Sequence, residues 1–128
     1  MASGGELSRL ALALKTCVAP RQGGRTLVFD EVDAGVAASA AETVGRRLKQ
    51  LAATSQVLCV THLPQIAGFA DHHFVVTKRE SQGRTLSEVR EITGEDRTRE
   101  IGRMLSGLKL TPEALRHAEK LIQSLRAG

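Results

Sequence analysis

The sequence contains no tryptophan and no tyrosine, and its three phenylalanines, Phe29, Phe69 and Phe74, are scattered. Holding single-stranded bases by stacking needs several exposed aromatic faces, so any nucleic-acid contact is expected to fall on phosphates. Cysteine is equally scarce. Cys17 and Cys59 lie far apart within apolar segments, and neither has a second Cys at zinc-ligand spacing, which leaves both as expected buried thiols. No apolar run approaches the roughly 20 residues that a membrane span needs, and Met1 to Glu6 carry neither the basic start nor the apolar stretch of a signal peptide. A cytoplasmic address with no membrane partner follows as an expectation. The sequence also has no Gly-Lys pair, so a phosphate-binding loop of the form Gly-x-x-x-x-Gly-Lys-Ser/Thr is excluded. Gly24-Arg25-Thr26 comes nearest, but Arg replaces Lys, Ala19 stands at the first Gly position, and a strand follows in place of a helix.

What is present suits one compact unit spanning residues 1–128, with 41% hydrophobic and 25% charged residues. The formal charge of +4 favours an anionic partner only weakly, because the basic residues are spread along the chain. Leu7, Leu10, Leu14 and Cys17 recur at helical spacing from just after Ser3 until Pro20. Thr26 to Phe29 reads as a strand ending in Asp30-Glu31, and Val57 to Thr61 as a second ending at His62. Between them Val44, Leu48 and Leu51 mark one face of an amphipathic helix. Two continuous apolar strands joined through a helix form a βαβ unit, with parallel strands expected to be buried on both faces. A short helical piece covers Leu63 to Phe69. His73 to Lys78 and Thr85 to Ile92, joined by Ser81-Gln82-Gly83-Arg84, suit a peripheral antiparallel hairpin. Two helices finish the chain, the last opening at Thr111-Pro112-Glu113 with Leu115, Ala118, Ile122 and Leu125 on one face. The expected fold class is therefore α/β, a mainly parallel sheet flanked by helices. Two doubly buried strands need more cover than a short chain supplies, so the unit reads as half of a domain.

Three motifs carry chemistry. Asp30 and Glu31 sit where acids at the carboxyl end of a buried parallel strand project into the usual ligand crevice. There, one acid can hold Mg²⁺ through its water shell and the other can accept a proton from an attacking water. Taken alone, an ordinary acidic turn before a helix explains the pair equally well. Ser3-Gly4-Gly5-Glu6 places a hydroxyl and free N–H groups at a helix start, which suits a phosphate. Ser3 with Glu6 three residues on is also a capping box, and on its own the cap suffices. His62 is placed to hydrogen-bond a phosphate oxygen, although a lone histidine is more often structural.

Together these motifs resemble the ABC ATPase superfamily. Ala2-Ser3-Gly4-Gly5-Glu6-Leu7-Ser8-Arg9 resembles the ABC signature motif, Leu27 to Glu31 the Walker B strand, Asp33-Ala34-Gly35 the D-loop, and Val60-Thr61-His62 the switch-histidine strand. With Phe29 to Val36, Thr61-His62-Leu63-Pro64-Gln65 and Arg99 to Gly107 added, nearly the whole chain is similar to the RecN family of SMC-like DNA double-strand-break repair proteins. Val32 follows Glu31 where ABC transporters usually have Pro, which disfavours a transporter.

This resemblance implies the C-terminal lobe of a P-loop ABC/SMC-type ATPase head. Glu31 and His62 become catalytic residues and Asp30 the Mg²⁺ carboxylate. Ser3, Gly4, Gly5 and Glu6 would grip, in trans, ATP held by a second head, and Asp33 would lie across that interface. The implied partners are the missing N-terminal half of the head with its Walker A loop, a second head in a homodimer, and DNA. In this family the Walker A loop is separated from the signature motif by a long coiled coil, so residue 1 is read as a truncation. The implied function is an ATPase that dimerises on ATP and acts in double-strand-break repair and recombination at the nucleoid, the chain alone being inactive. The competing readings are another SMC-like or ABC ATPase head, and a dimerisation module that does not hydrolyse ATP.

Overall fold

The computed structural model describes residues 24–30, 35–107 and 109–127. Its elements run β1 (Thr26–Phe29), α1 (Ala38–Ala52), β2 (Gln56–Cys59), α2 (Pro64–Ala67), β3 (His73–Ser81), β4 (Arg84–Ile92), α3 (Gly94–Ser106) and α4 (Pro112–Ala127). The helix expected from Ser3 to Pro20, with Cys17 on it, lies outside the described residues.

β1 and β2 pair in parallel with Thr26 opposite Gln56 and Phe29 opposite Cys59, and α1 connects them, which gives the expected βαβ unit. The period-two alternation of a strand sends Leu27 and Phe29, with Val57 and Cys59, toward α1. There they meet Ala41, Val44, Leu48, Leu51 and Ile66 in one apolar cluster. Each large side chain buried in this way contributes about 1.5–3 kcal/mol. The α1 stripe is the one read from the sequence.

Among the described residues the parallel strands are covered on one face only. Val28, Leu58 and Val60 are 60%, 49% and 62% exposed, because the described helices cover only the face that carries Phe29. Cys59 is accordingly half-buried and not fully buried.

The hairpin is longer than the sequence marked, with β3 and β4 paired antiparallel from His73 opposite Ile92 to Ser81 opposite Arg84. Gln82 and Gly83 have φ of 51° and 73°, the two successive positive values that a two-residue type I′ turn requires.

α3 and α4 pack as an antiparallel pair around Ile101 and Ala118, both fully buried, with Ala67 and Ile122. A Cβ on Gly102 would stand 2.7 Å from Leu110 Cδ1 and 3.4 Å from the Ala114 carbonyl oxygen, so a side chain there would displace the end of the partly exposed Leu110 side chain. Thr111 caps α4 as expected, its Oγ1 accepting the Ala114 N–H at 3.1 Å. The buried stripe of α4 is Ala114, Ala118, Ile122 and Leu125. Leu115 sits at the margin, partly exposed, because the four-residue step back from Ala118 falls on Ala114.

Candidate functional site

The carboxyl edge of the parallel pair is formed by the residues that follow Phe29 and Cys59. The Val60 N–H donates to the Phe29 carbonyl at 2.9 Å, so the pairing holds to the last residue before Asp30. Asp30 leaves this edge exposed, directly after Phe29, whose side chain is 4% exposed. A buried aromatic thus anchors the position from which the carboxylate emerges. On the neighbouring strand the chain turns at Thr61 and His62. Thr61 Oγ1 accepts the Leu63 N–H at 3.0 Å, closing a tight side-chain turn around His62. Leu63 is extended, and Pro64 opens α2 with its ring preset for a first helical turn. His62 is exposed at this bend. Asp30 and His62 therefore leave the same end of two adjacent, hydrogen-bonded strands.

Glu31 and Asp33 lie outside the described residues, as do Ser3, Gly4, Gly5 and Glu6. Gly35, described, is exposed with φ of 68°, a left-handed conformation suited to glycine. Val36 packs on the cluster around Phe29, which ties the end of this loop to the sheet. Among the described residues, no group of three or more His, Cys, Asp or Glu side chains could hold a metal ion. Asp30, single and exposed, fits a cation reached through water and shared with a phosphate better than a cage of protein ligands.

Behind His62 lies a contact that sequence reasoning missed. Arg97 of α3 donates through Nη2 to the carbonyls of Ala70 at 2.7 Å, Gly68 at 3.2 Å and Ala67 at 3.4 Å. One guanidinium thus caps the carboxyl end of α2, the element that starts two residues after His62, and binds it to α3. Burial, and then the positive charge of Arg126, lower the Arg97 pKa, while Asp71 opposes them. No local pattern signals this contact, since the partners stand 27–30 residues apart. His73 nearby is half-buried, with Nδ1 lacking a hydrogen-bond partner, and burial followed by the charge of Arg97 lowers its pKa against an opposing Glu100. Asp71 pairs with Lys49, whose hydrogen bond holds that carboxyl below its usual value.

The backbone resembles a solved chain from a study of ATP-driven dimerization and DNA-stimulated activation of SMC ATPases. The TM-score is 0.54 at 20% identity, covering 98% of this chain and 62% of that one. The two chains thus share an α/β fold. No protein-family profile matches the sequence. Individual relatives do. The DNA repair protein RecN of Deinococcus radiodurans is 51% identical over 122 residues, covering 95% of this chain and 21% of the relative. RecN of Mycobacterium leprae is 50% identical over 125 residues, covering 98% and 21%. RecN of Halalkalibacterium halodurans is 43% identical over 122 residues, covering 95% and 22%. Over nearly its whole length the chain is similar to these RecN proteins, and it spans about a fifth of their length. Among the described residues no helix is long and apolar enough to cross a membrane.

Proposed function

We propose that the chain is the C-terminal lobe of a RecN-type head that hydrolyses ATP, dimerises on it, and uses that cycle in DNA double-strand-break repair at the nucleoid. The observation that supports this reading best is the shared carboxyl edge of β1 and β2, from which Asp30 and the turn carrying His62 both emerge. Open α/β sheets bind ligands at that end of their strands.

On this reading the first half of the head supplies the Walker A loop that cradles ATP, and this lobe supplies the groups that act on the γ-phosphate. Asp30 would hold Mg²⁺ through its water shell, and the ion would supply charge neutralisation for the phosphates. Glu31, the next residue, accepts the proton of the attacking water. His62 donates to a γ-phosphate oxygen, and the Thr61 turn holds its backbone in place. Ser3, Gly4, Gly5 and Glu6 act in trans on the ATP of a second head, and Asp33 lies between the two sites. Because one site needs both heads, hydrolysis requires dimerisation.

The test is Glu31→Gln in the full-length protein. ATP-dependent dimers are expected to persist while turnover falls roughly 10²–10⁴-fold, the usual contribution of a positioned base. Unchanged turnover would rule out Glu31 as that base. An absence of ATPase activity in the unaltered protein would favour a dimerisation module that does not hydrolyse ATP.

A further inference from the structure

Away from the carboxyl edge of the sheet, four cations from three helices line one cleft of about 510 Å³. Arg46 and Lys49 come from α1, Arg97 from α3 and Arg126 from α4, and Asp71 is the single carboxylate in the wall. Two of the guanidinium groups are held in place. Arg97 is fixed by the carbonyls of Ala67, Gly68 and Ala70, and Arg46 lies 5.8 Å from the centre of the Phe69 ring while bonding Glu42 at 2.9 Å. The other two cations are available. The Lys49 and Asp71 side chains are 47% and 61% exposed, a pair that water screens and a stronger anion can displace. Arg126 forms no ion pair with any described residue. Its charge bears on Arg97, and this mutual repulsion is what a bound oxyanion would relieve.

We propose that this cleft seats the phosphodiester backbone of duplex DNA, with Lys49 and Arg126 as its exchangeable contacts and Arg46 and Arg97 as its preset wall. Guanidinium groups match the geometry of phosphate oxygens, and cations drawn from separate helices suit an extended anion better than a single small one. Phe69, the aromatic side chain of the wall, is 9% exposed and presents no face on which a base could stack, so recognition is of backbone and not of sequence. The site is distinct from the ATP-facing edge, but its choice of partner rests on the DNA-repair reading above.

The test measures binding of a 30-base-pair duplex by the full-length protein, without nucleotide, across a salt series. The double variant Lys49→Gln with Arg126→Gln is compared with Lys78→Gln with Arg79→Gln, which removes the same charge from the exposed hairpin. The cleft variant is expected to bind at least about tenfold more weakly, with the slope of log affinity against log salt reduced by about 1.8, or 0.9 per lost phosphate contact. The hairpin variant is expected to keep the native slope, and DNA-free ATP turnover to be unchanged in both. Equal losses in both variants would overturn the cleft as a site. So would a cleft variant that keeps its duplex affinity but loses binding of inorganic phosphate, since the ligand would then be the free ion. If the unaltered protein binds no duplex, the DNA reading itself fails. If it binds and the cleft variant binds equally, only the cleft assignment fails.

Discussion

At Gly45 two effects of opposite sign meet. Alanine in a helix interior is favoured over glycine by about 1 kcal/mol, yet a Cβ at Gly45 would stand 2.3 Å from Phe69 Cδ2 and 3.2 Å from the Gln65 carbonyl oxygen. The ring is buried and cannot swing clear, and overpacking typically costs about 1–3 kcal/mol, so the steric effect wins. Gly45→Ala is expected to lower the urea midpoint, and a rise would show that the Phe69 loop yields freely. His73 makes a second prediction at this scale. Burial holds its pKa below the usual imidazole value near 6.5, so the folded state prefers the neutral ring. Its contribution to stability is fully present above that unfolded value and is lost as pH falls from it through the folded value. The urea midpoint is expected to drop between pH 7.5 and pH 5.5, and His73→Phe to flatten that drop. A drop of the same size in the variant would place its origin elsewhere. Neither site was legible in the sequence, because Phe69 and Arg97 reach these positions only through folding.

Among the elements, α4 was the most legible, because its signals are local. Thr111 and Pro112 mark its start, and the Thr111 Oγ1 does accept the Ala114 N–H. Thr111→Ala removes that bond and is expected to destabilise the protein by about 1 kcal/mol, with Thr111→Ser recovering most of the loss in thermal unfolding. Equal stability of the alanine and serine variants would mean that the cap contributes nothing. The same local reading misplaced the buried stripe by one residue, at Leu115, because hydropathy favours leucine over the alanine that the closely packed α3 admits at position 114. The hairpin was legible from Gln82-Gly83 and flanking alternation. Which face of the strands the described helices cover was not, because an apolar strand records that its side chains can be buried and not what lies over them.

For the whole molecule, the decisive relations join parts distant along the chain. Ser3→Arg in the full-length protein fills the proposed phosphate pocket of the signature motif with a long side chain, and is expected to abolish ATP-induced dimerisation measured by light scattering while leaving ATP binding intact. Dimers that persist with ATP would count against the trans role. The sequence by itself determined the βαβ unit, the hairpin, the final helix pair and the likeness to RecN proteins, because hydrophobic period, turn residues and contiguous motifs are properties of neighbouring residues. The structure alone decided that β1 and β2 are direct neighbours and in which register, which brings Asp30 and the His62 turn to adjacent strand ends. It also decided that Arg97 clamps α2 and that cations from three helices converge on one cleft. Such contacts depend on where the helices pack, and packing is set by shape and burial summed over the whole fold.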